Sequence, residues 1–171
     1  SDIFIRLENR TVIANQQKAD LFVSVHANAN RNRKRQGVET FYLNFSPDPQ
    51  VNEVAARENA TSTKNISQMQ DTIKKIVQNS KIVESRDVAE KIQRNLVQWL
   101  SQKYGSVQNL GSRGGPFWVL IGGEMPSVLV EVSYLSNAQD AERLGTPAYR
   151  KQAAQGVYEG ILEYMRSLGK G

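Results

Sequence analysis

Leu21-Phe22-Val23-Ser24-Val25-His26-Ala27-Asn28-Ala29 is the stretch on which the reading of this chain turns. It is apolar and β-branched, and too short for an ordinary helix, so it predicts a strand over Leu21–Val25. His26, the only histidine in the sequence, stands at its end. One other run has the same character, Pro126-Ser127-Val128-Leu129-Val130-Glu131-Val132-Ser133-Tyr134, where Glu131 interrupts residues suited to a sheet interior. Working outward, Val38 to Asn44 predicts a second strand, Phe117 to Ile121 a third and Val128 to Val132 a fourth. Amphipathic stretches separate them. Phe4, Leu7, Thr11 and Ala14 share one face of a helix from Phe4 to Lys18, capped by Ser1 or Asp2. Ser85 caps a helix carrying Val88, Ile92, Leu96, Trp99 and Leu100 that ends near Gly105. Thr146 and Pro147 start a last helix with Ala154, Val157, Ile161, Tyr164 and Leu168 inward, stopped by Gly169. Apolar strands alternating with amphipathic helices predict an α/β fold, a mostly parallel central sheet flanked by helices. In such sheets ligands gather at the carboxyl ends of strands, where His26 and Glu131 both fall.

The sequence has 171 residues, of which 39% are hydrophobic, enough for one sizeable core and a single domain. There is no cysteine, which excludes disulfides and thiolate metal ligands. No apolar stretch approaches the roughly 20 residues of a membrane span. No basic region followed by an apolar run opens the chain, so a signal peptide is expected to be absent or already removed. The 22 Lys and Arg exceed the 17 Asp and Glu, for a net charge of +5. Much of the surplus lies in Arg31-Asn32-Arg33-Lys34-Arg35, which reads as a solvated loop after a strand. Such a charge can favour anionic partners, among them acidic wall polymers, anionic lipid surfaces and nucleic acid. No aromatic residue is interleaved with the run, so a nucleic-acid platform is not expected. The glycine-rich connection Gly111-Ser112-Arg113-Gly114-Gly115-Pro116 lacks a phosphate-cradling lysine and precedes a strand, so no nucleotide site is expected.

Two residues carry chemistry. His26 is either a satisfied histidine at a strand edge or a metal ligand, imidazole being the commonest one. Glu131, between Val130 and Val132, is either ion-paired, with Arg113 as a partner, or a catalytic base. Carboxylates are almost never fully buried unless paired, and desolvation favours their protonated form.

The segment Ala19–Ala29, the segment Gly37–Leu43 and Pro126 through Tyr134 to Leu135-Ser136-Asn137 resemble the zinc-dependent N-acetylmuramoyl-L-alanine amidases of bacterial cell walls. Asp2 to Leu7, Arg10, Ala14-Asn15 and Gly160-Ile161 extend the resemblance, which covers almost everything outside residues 60–85. It implies hydrolysis of the amide joining N-acetylmuramic acid to the L-alanine of the stem peptide. It assigns His26 as a zinc ligand and Glu131 as the acid/base. Zinc then polarises the scissile carbonyl and lowers the pKa of its water to about 7, while the carboxylate moves the proton. Peptidoglycan is the implied substrate, and the periplasm or another extracytoplasmic space the implied location.

The chain also departs from the family pattern. Members begin with a strand ending in a Gly-His-Gly-Gly type segment, then a helix bearing a glutamate, and that histidine and glutamate complete the zinc site. Neither is present here. Residues 1–171 therefore read as the C-terminal portion of an amidase domain, its first strand and helix absent, its zinc site incomplete and its own activity doubtful. The uncovered sheet edge would favour self-association. A binding module for peptidoglycan or an activator, without catalysis, is the alternative. Residues 51–82 are polar, with a thin stripe at Ile66, Met69, Ile73 and Ile76, and read as a helical insertion. In cell-division members of the family a helical segment at this place plugs the site until a LytM-like activator displaces it. By that resemblance Glu58 is a possible inhibitory zinc ligand. Otherwise it is an ordinary exposed helix carboxylate.

Overall fold

The computed structural model describes residues 3–61, 63–68 and 81–169. It contains a four-stranded sheet of β1 (Phe22–Asn28), β2 (Val38–Leu43), β3 (Asn109–Gly115) and β4 (Ser127–Tyr134), in the order β1-β4-β2-β3. Backbone hydrogen bonds fix the directions. Phe22 N–H donates to the Pro126 carbonyl (3.0 Å) and Leu135 N–H to that of Asn28 (2.7 Å), so β1 and β4 run together. Val38 N–H donates to Gln108 and Asn44 N–H to Gly115, each at 3.0 Å, so β2 and β3 also run together. Asp140 Oδ2 accepts from the N–H groups of Gly37 (2.8 Å) and Tyr134 (3.1 Å), bringing the start of β2 to the end of β4. The two parallel pairs are thus opposed. The architecture is α/β as expected, but the sheet is mixed rather than mostly parallel. The link from Asn28 to Val38 is too short for the crossover of a dozen or more residues that parallel strands need, so β2 returns the other way.

Packing divides the chain into two compact units. The first draws on residues 1–24, 41–86 and 113–128. In it α1 (Leu7–Gln16) is tied down by Thr11, whose hydroxyl donates to the Ile121 carbonyl (2.9 Å), and by Asn15, which donates to that of Gly122 (2.8 Å). The helix does not begin at Phe4, which is 87% exposed, and Arg6 at its N-cap makes no side-chain capping hydrogen bond. The turns that are helical are the ones anchored by Thr11 and Asn15. Asp48 caps α2 (Pro49–Glu58) by accepting from Gln50 N–H (2.8 Å), and Val51, Val54 and Ala55 are buried. In α3 (Thr63–Gln68) Ile66 is wholly buried, whereas Met69, Ile73 and Ile76 lie outside the described residues.

The third strand is not where periodicity places it. The glycine-rich segment forms β3, and Trp118–Leu120 form a 3₁₀ turn. A Cβ on Gly114 would come 2.6 Å from the Cβ of Asn44, and one on Gly115 would come 2.6 Å from Val51. These glycines therefore let β3 lie close to its neighbours. Pro116, with no N–H to donate, follows its end. The apolar residues beyond it, Phe117, Val119 and Leu120, are buried through a turn that Asn59 holds, donating to the Pro116 carbonyl and accepting from Trp118 N–H.

The second unit draws on residues 25–40, 87–112 and 129–171. Most of α4 (Ile82–Tyr104) belongs here, with Val88, Ile92, Leu96 and Leu100 buried at four-residue spacing. Its N-terminal turn corrects one expectation: Ser85 lies inside the helix, donating to the Lys81 carbonyl and accepting from Ser127 N–H. Asn137 caps α5 (Ala138–Gly145), and Thr146 caps α6 (Pro147–Ser167) by accepting from Tyr149 N–H (3.2 Å). The buried face of α6 is Tyr149, Ala153, Gly156, Val157, Gly160 and Tyr164, so Ala154 and Leu168 point out. The reason is close helix packing. A Cβ on Gly160 would meet Ile92 Cα at 2.4 Å, and one on Gly156 would meet Leu96 Cα at 2.7 Å.

Candidate metal centre

His26 and Glu131 sit on adjacent, parallel strands, each two or three residues inside the strand rather than at its end. Alternation along a strand turns both side chains to one face and Val25, Ala27 and Val132 to the other. The two environments differ. Every residue of β4 is buried and Glu131 is 0% exposed, whereas β1 borders the sheet and His26 is half-buried. Glu58, half-buried, is the last residue of α2.

His26 and Glu131, both in the second unit, each offer a ligand atom, and the two atoms lie within 4.8 Å of each other. An imidazole nitrogen and carboxylate oxygens are ordinary zinc donors. Two donors at about 2.0–2.2 Å from one ion are at most about 4.4 Å apart, so these side chains need to close by only a fraction of an ångström. The donor set fits the metal. Arg113 pairs with Asp48 (3.1 Å) and lies over the Phe41 ring, its guanidinium carbon 5.6 Å from the ring centroid.

A buried polar network holds the ends of the strands that carry the site. Asn28, the last residue of β1, donates to Glu39 Oε1 (3.1 Å), and the Tyr134 hydroxyl donates to the same oxygen. Arg35 Nε donates to the Tyr134 hydroxyl (2.8 Å) and pairs with Glu39 Oε2 (3.6 Å). Burial, with the Glu39 carboxylate beside it, holds the Tyr134 phenol far above its usual range, so it stays a donor. Next to Glu131, the Tyr149 hydroxyl donates to the Val132 carbonyl (2.8 Å), and burial pushes its pKa up to about 12. Sequence reasoning did not find Asn28, Glu39, Tyr134 or Arg35. The available signal was Glu39, a second charge inside an apolar strand.

An imidazole beside a sheltered carboxylate on parallel strands is a donor pair that could hold a metal ion on an α/β sheet. The chain belongs to the N-acetylmuramoyl-L-alanine amidase family, whose model matches residues 1–163. It is 31% identical over 178 residues to the N-acetylmuramoyl-L-alanine amidase AmiA of Escherichia coli, covering 95% of this chain and 58% of that one. It is 30% identical over 166 residues to the amidase LytC of Bacillus subtilis, covering 97% and 26% respectively. The crystal structure of an N-acetylmuramoyl-L-alanine amidase from Clostridium difficile superposes with a TM-score of 0.70 at 25% identity, over 98% of this chain and 69% of that one. The chain thus spans between a quarter and three fifths of the length of these two curated relatives. Among the described residues no helix is long and apolar enough to cross a membrane.

Proposed function

We propose that this chain forms part of a peptidoglycan hydrolase that cleaves the amide between N-acetylmuramic acid and the L-alanine of the stem peptide, outside the cytoplasm. The observation that carries the reading is the juxtaposition of His26 and Glu131, whose ligand atoms lie within 4.8 Å of each other on neighbouring strands, in a chain of the amidase family. His26 holds zinc. When bound, the metal supplies polarisation of the scissile carbonyl and activation of water. Glu131 takes the proton of the attacking water on a carboxylate oxygen. It returns that proton to the amide nitrogen as the C–N bond breaks, leaving a lactyl carboxylate and a free stem-peptide amine. A carboxylate shut away from solvent suits this work, because no bulk water competes for the proton. His26 needs access instead, and its half-buried place on a bordering strand provides it.

One histidine supplies one of the three protein ligands that catalytic zinc normally has. By the family resemblance Glu58, the last residue of a helix within the polar insertion, is a second ligand, inhibitory rather than permanent. Residues 51–82 are then the segment that a LytM-like activator displaces, and the bordering β1 offers an edge for self-association. Zinc titration by calorimetry tests the site: His26→Ala should abolish binding and Glu58→Ala should weaken it. Digestion of purified peptidoglycan with added zinc should release little or no free stem peptide from residues 1–171 alone. In the full-length protein Glu58→Ala should raise basal turnover, and unchanged turnover would exclude inhibition through this residue. If the chain instead sediments with insoluble peptidoglycan but binds no zinc, the non-catalytic binding module is the better reading.

A further inference from the structure

The basic run has an ordered place in the molecule. Arg31, Arg33 and Lys34, with Asn30, Ser136 and Asn137, line a groove of about 940 Å³ that contains no acidic side chain. Among the described residues none of the three cations has an ion-pair partner. The loop carrying them is held at several points. Asn30 N–H donates to Ser136 Oγ (2.8 Å), Asn137 Nδ2 donates to the Arg33 carbonyl (2.9 Å), and Gly37 N–H donates to Asp140. Within the loop, Asn30 accepts from Asn32 N–H (2.8 Å) and Asn32 from Lys34 N–H (3.0 Å). Arg35, adjacent to the three, is the one turned inward, onto Glu39 and Tyr134. The backbone of such a loop is ordered before a ligand arrives, so on binding only the side chains have freedom left to lose.

The groove follows directly from the strands that carry the candidate centre. Asn30 is four residues beyond His26, and Leu135, which also lines the groove, is four beyond Glu131. Four residues of extended chain span about 13 Å at roughly 3.3 Å each. A peptide leaving the reacting amide and running along the strand ends would place its third or fourth residue over these cations. The stem peptide carries its free carboxylates within that distance.

We propose that this groove is the subsite for the acidic part of the stem peptide, with Arg31, Arg33 and Lys34 binding its carboxylates. The inference rests on the peptidoglycan reading above and deepens it. The probe is a fluorescein-labelled L-alanyl-γ-D-glutamyl-meso-diaminopimelyl-D-alanine, compared by anisotropy with the analogue in which both free side carboxylates are amidated. The acidic peptide should bind at least tenfold more tightly, and its advantage should shrink as salt rises. Substituting Arg31, Arg33 and Lys34 together by alanine should remove that preference with an unchanged thermal melt, since all three are exposed. His26→Ala should leave peptide binding intact. Equal binding of both peptides, or a preference retained by the triple variant, overturns the subsite. Tighter binding of polyphosphate than of the acidic peptide also overturns it, in favour of a phosphate polymer. Zinc titration on the same samples separates the two readings. Zinc bound through His26 without a peptide preference defeats the groove alone, and a peptide preference without zinc binding defeats the hydrolase reading alone.

Discussion

Strands β1 and β4 are neighbours that run the same way, yet they are built to different ends. In β4 all residues from Ser127 to Tyr134 are buried, and Glu131 is carried into the interior among them. In β1 Val25 is 58% exposed and His26 is half-buried. On the proposed reading, Glu131 as a group that moves protons gains from exclusion of water, whereas His26 as a metal ligand must be reachable by an ion that arrives from solvent. One strand therefore supplies shelter and the other supplies access.

The sharpest way to break this comparison is to remove the sheltered group. Glu131→Gln in the full-length protein should lower turnover by about 10²–10⁴-fold, the usual worth of a general acid/base, with zinc content unchanged. Retained turnover, measured as release of stem peptide, would remove Glu131 from proton transfer. The next test contrasts the two strands by stability. Leu129→Ala in β4, where the side chain is 0% exposed, should cost about 2–5 kcal/mol in urea unfolding. Val25→Ala in β1 should stay within about 0.5 kcal/mol. Similar costs would mean that the strands are not so differently built. The smallest effect is expected far from both strands. Hydrogen bonds from Arg94 and Asn95 hold the Glu163 carboxyl below its usual range. A lowered folded pKa gives stability that is present above the unfolded value near 4.5 and is lost as pH falls through the folded one. Because the pair is largely solvent-exposed, Glu163→Gln should flatten the acid limb of the melting curve only slightly.

Much of this arrangement was legible in the sequence, for reasons that can be stated. β4 could be read because unbroken apolar character has one physical outcome, burial on both faces, and a charge within it stands out. His26 could be read because it is unique. Thr146-Pro147 marked the start of α6 correctly because capping chemistry is local. What could not be read depended on partners distant in sequence. Gly114 and Gly115 look like a loop until Asn44 and Val51 are known to lie beside them. Phe117 to Ile121 have strand composition, but Asn59 fixes them as a turn. Which face of α6 is inward is set by the approach of Gly156 and Gly160 to α4, a packing fact with no signature in hydropathy. The basic run showed its charge but not its order, which comes from Ser136, Asn137 and Asp140 on the far side of the chain.

The pairing of β1 with β4 also has a consequence for when the chain becomes competent. His26 and Glu131 are separated by roughly a hundred residues, so they meet only after a long loop has closed. Helix α4 and its local contacts can form well before that, while the parallel strands must wait. His26 therefore has no partner in Glu131 until the chain has been made through β4. Pulse-labelled hydrogen exchange should find α4 protected earlier than β1. Timing of this kind makes metal binding a late event, one that waits on the longest loop the sheet has to close.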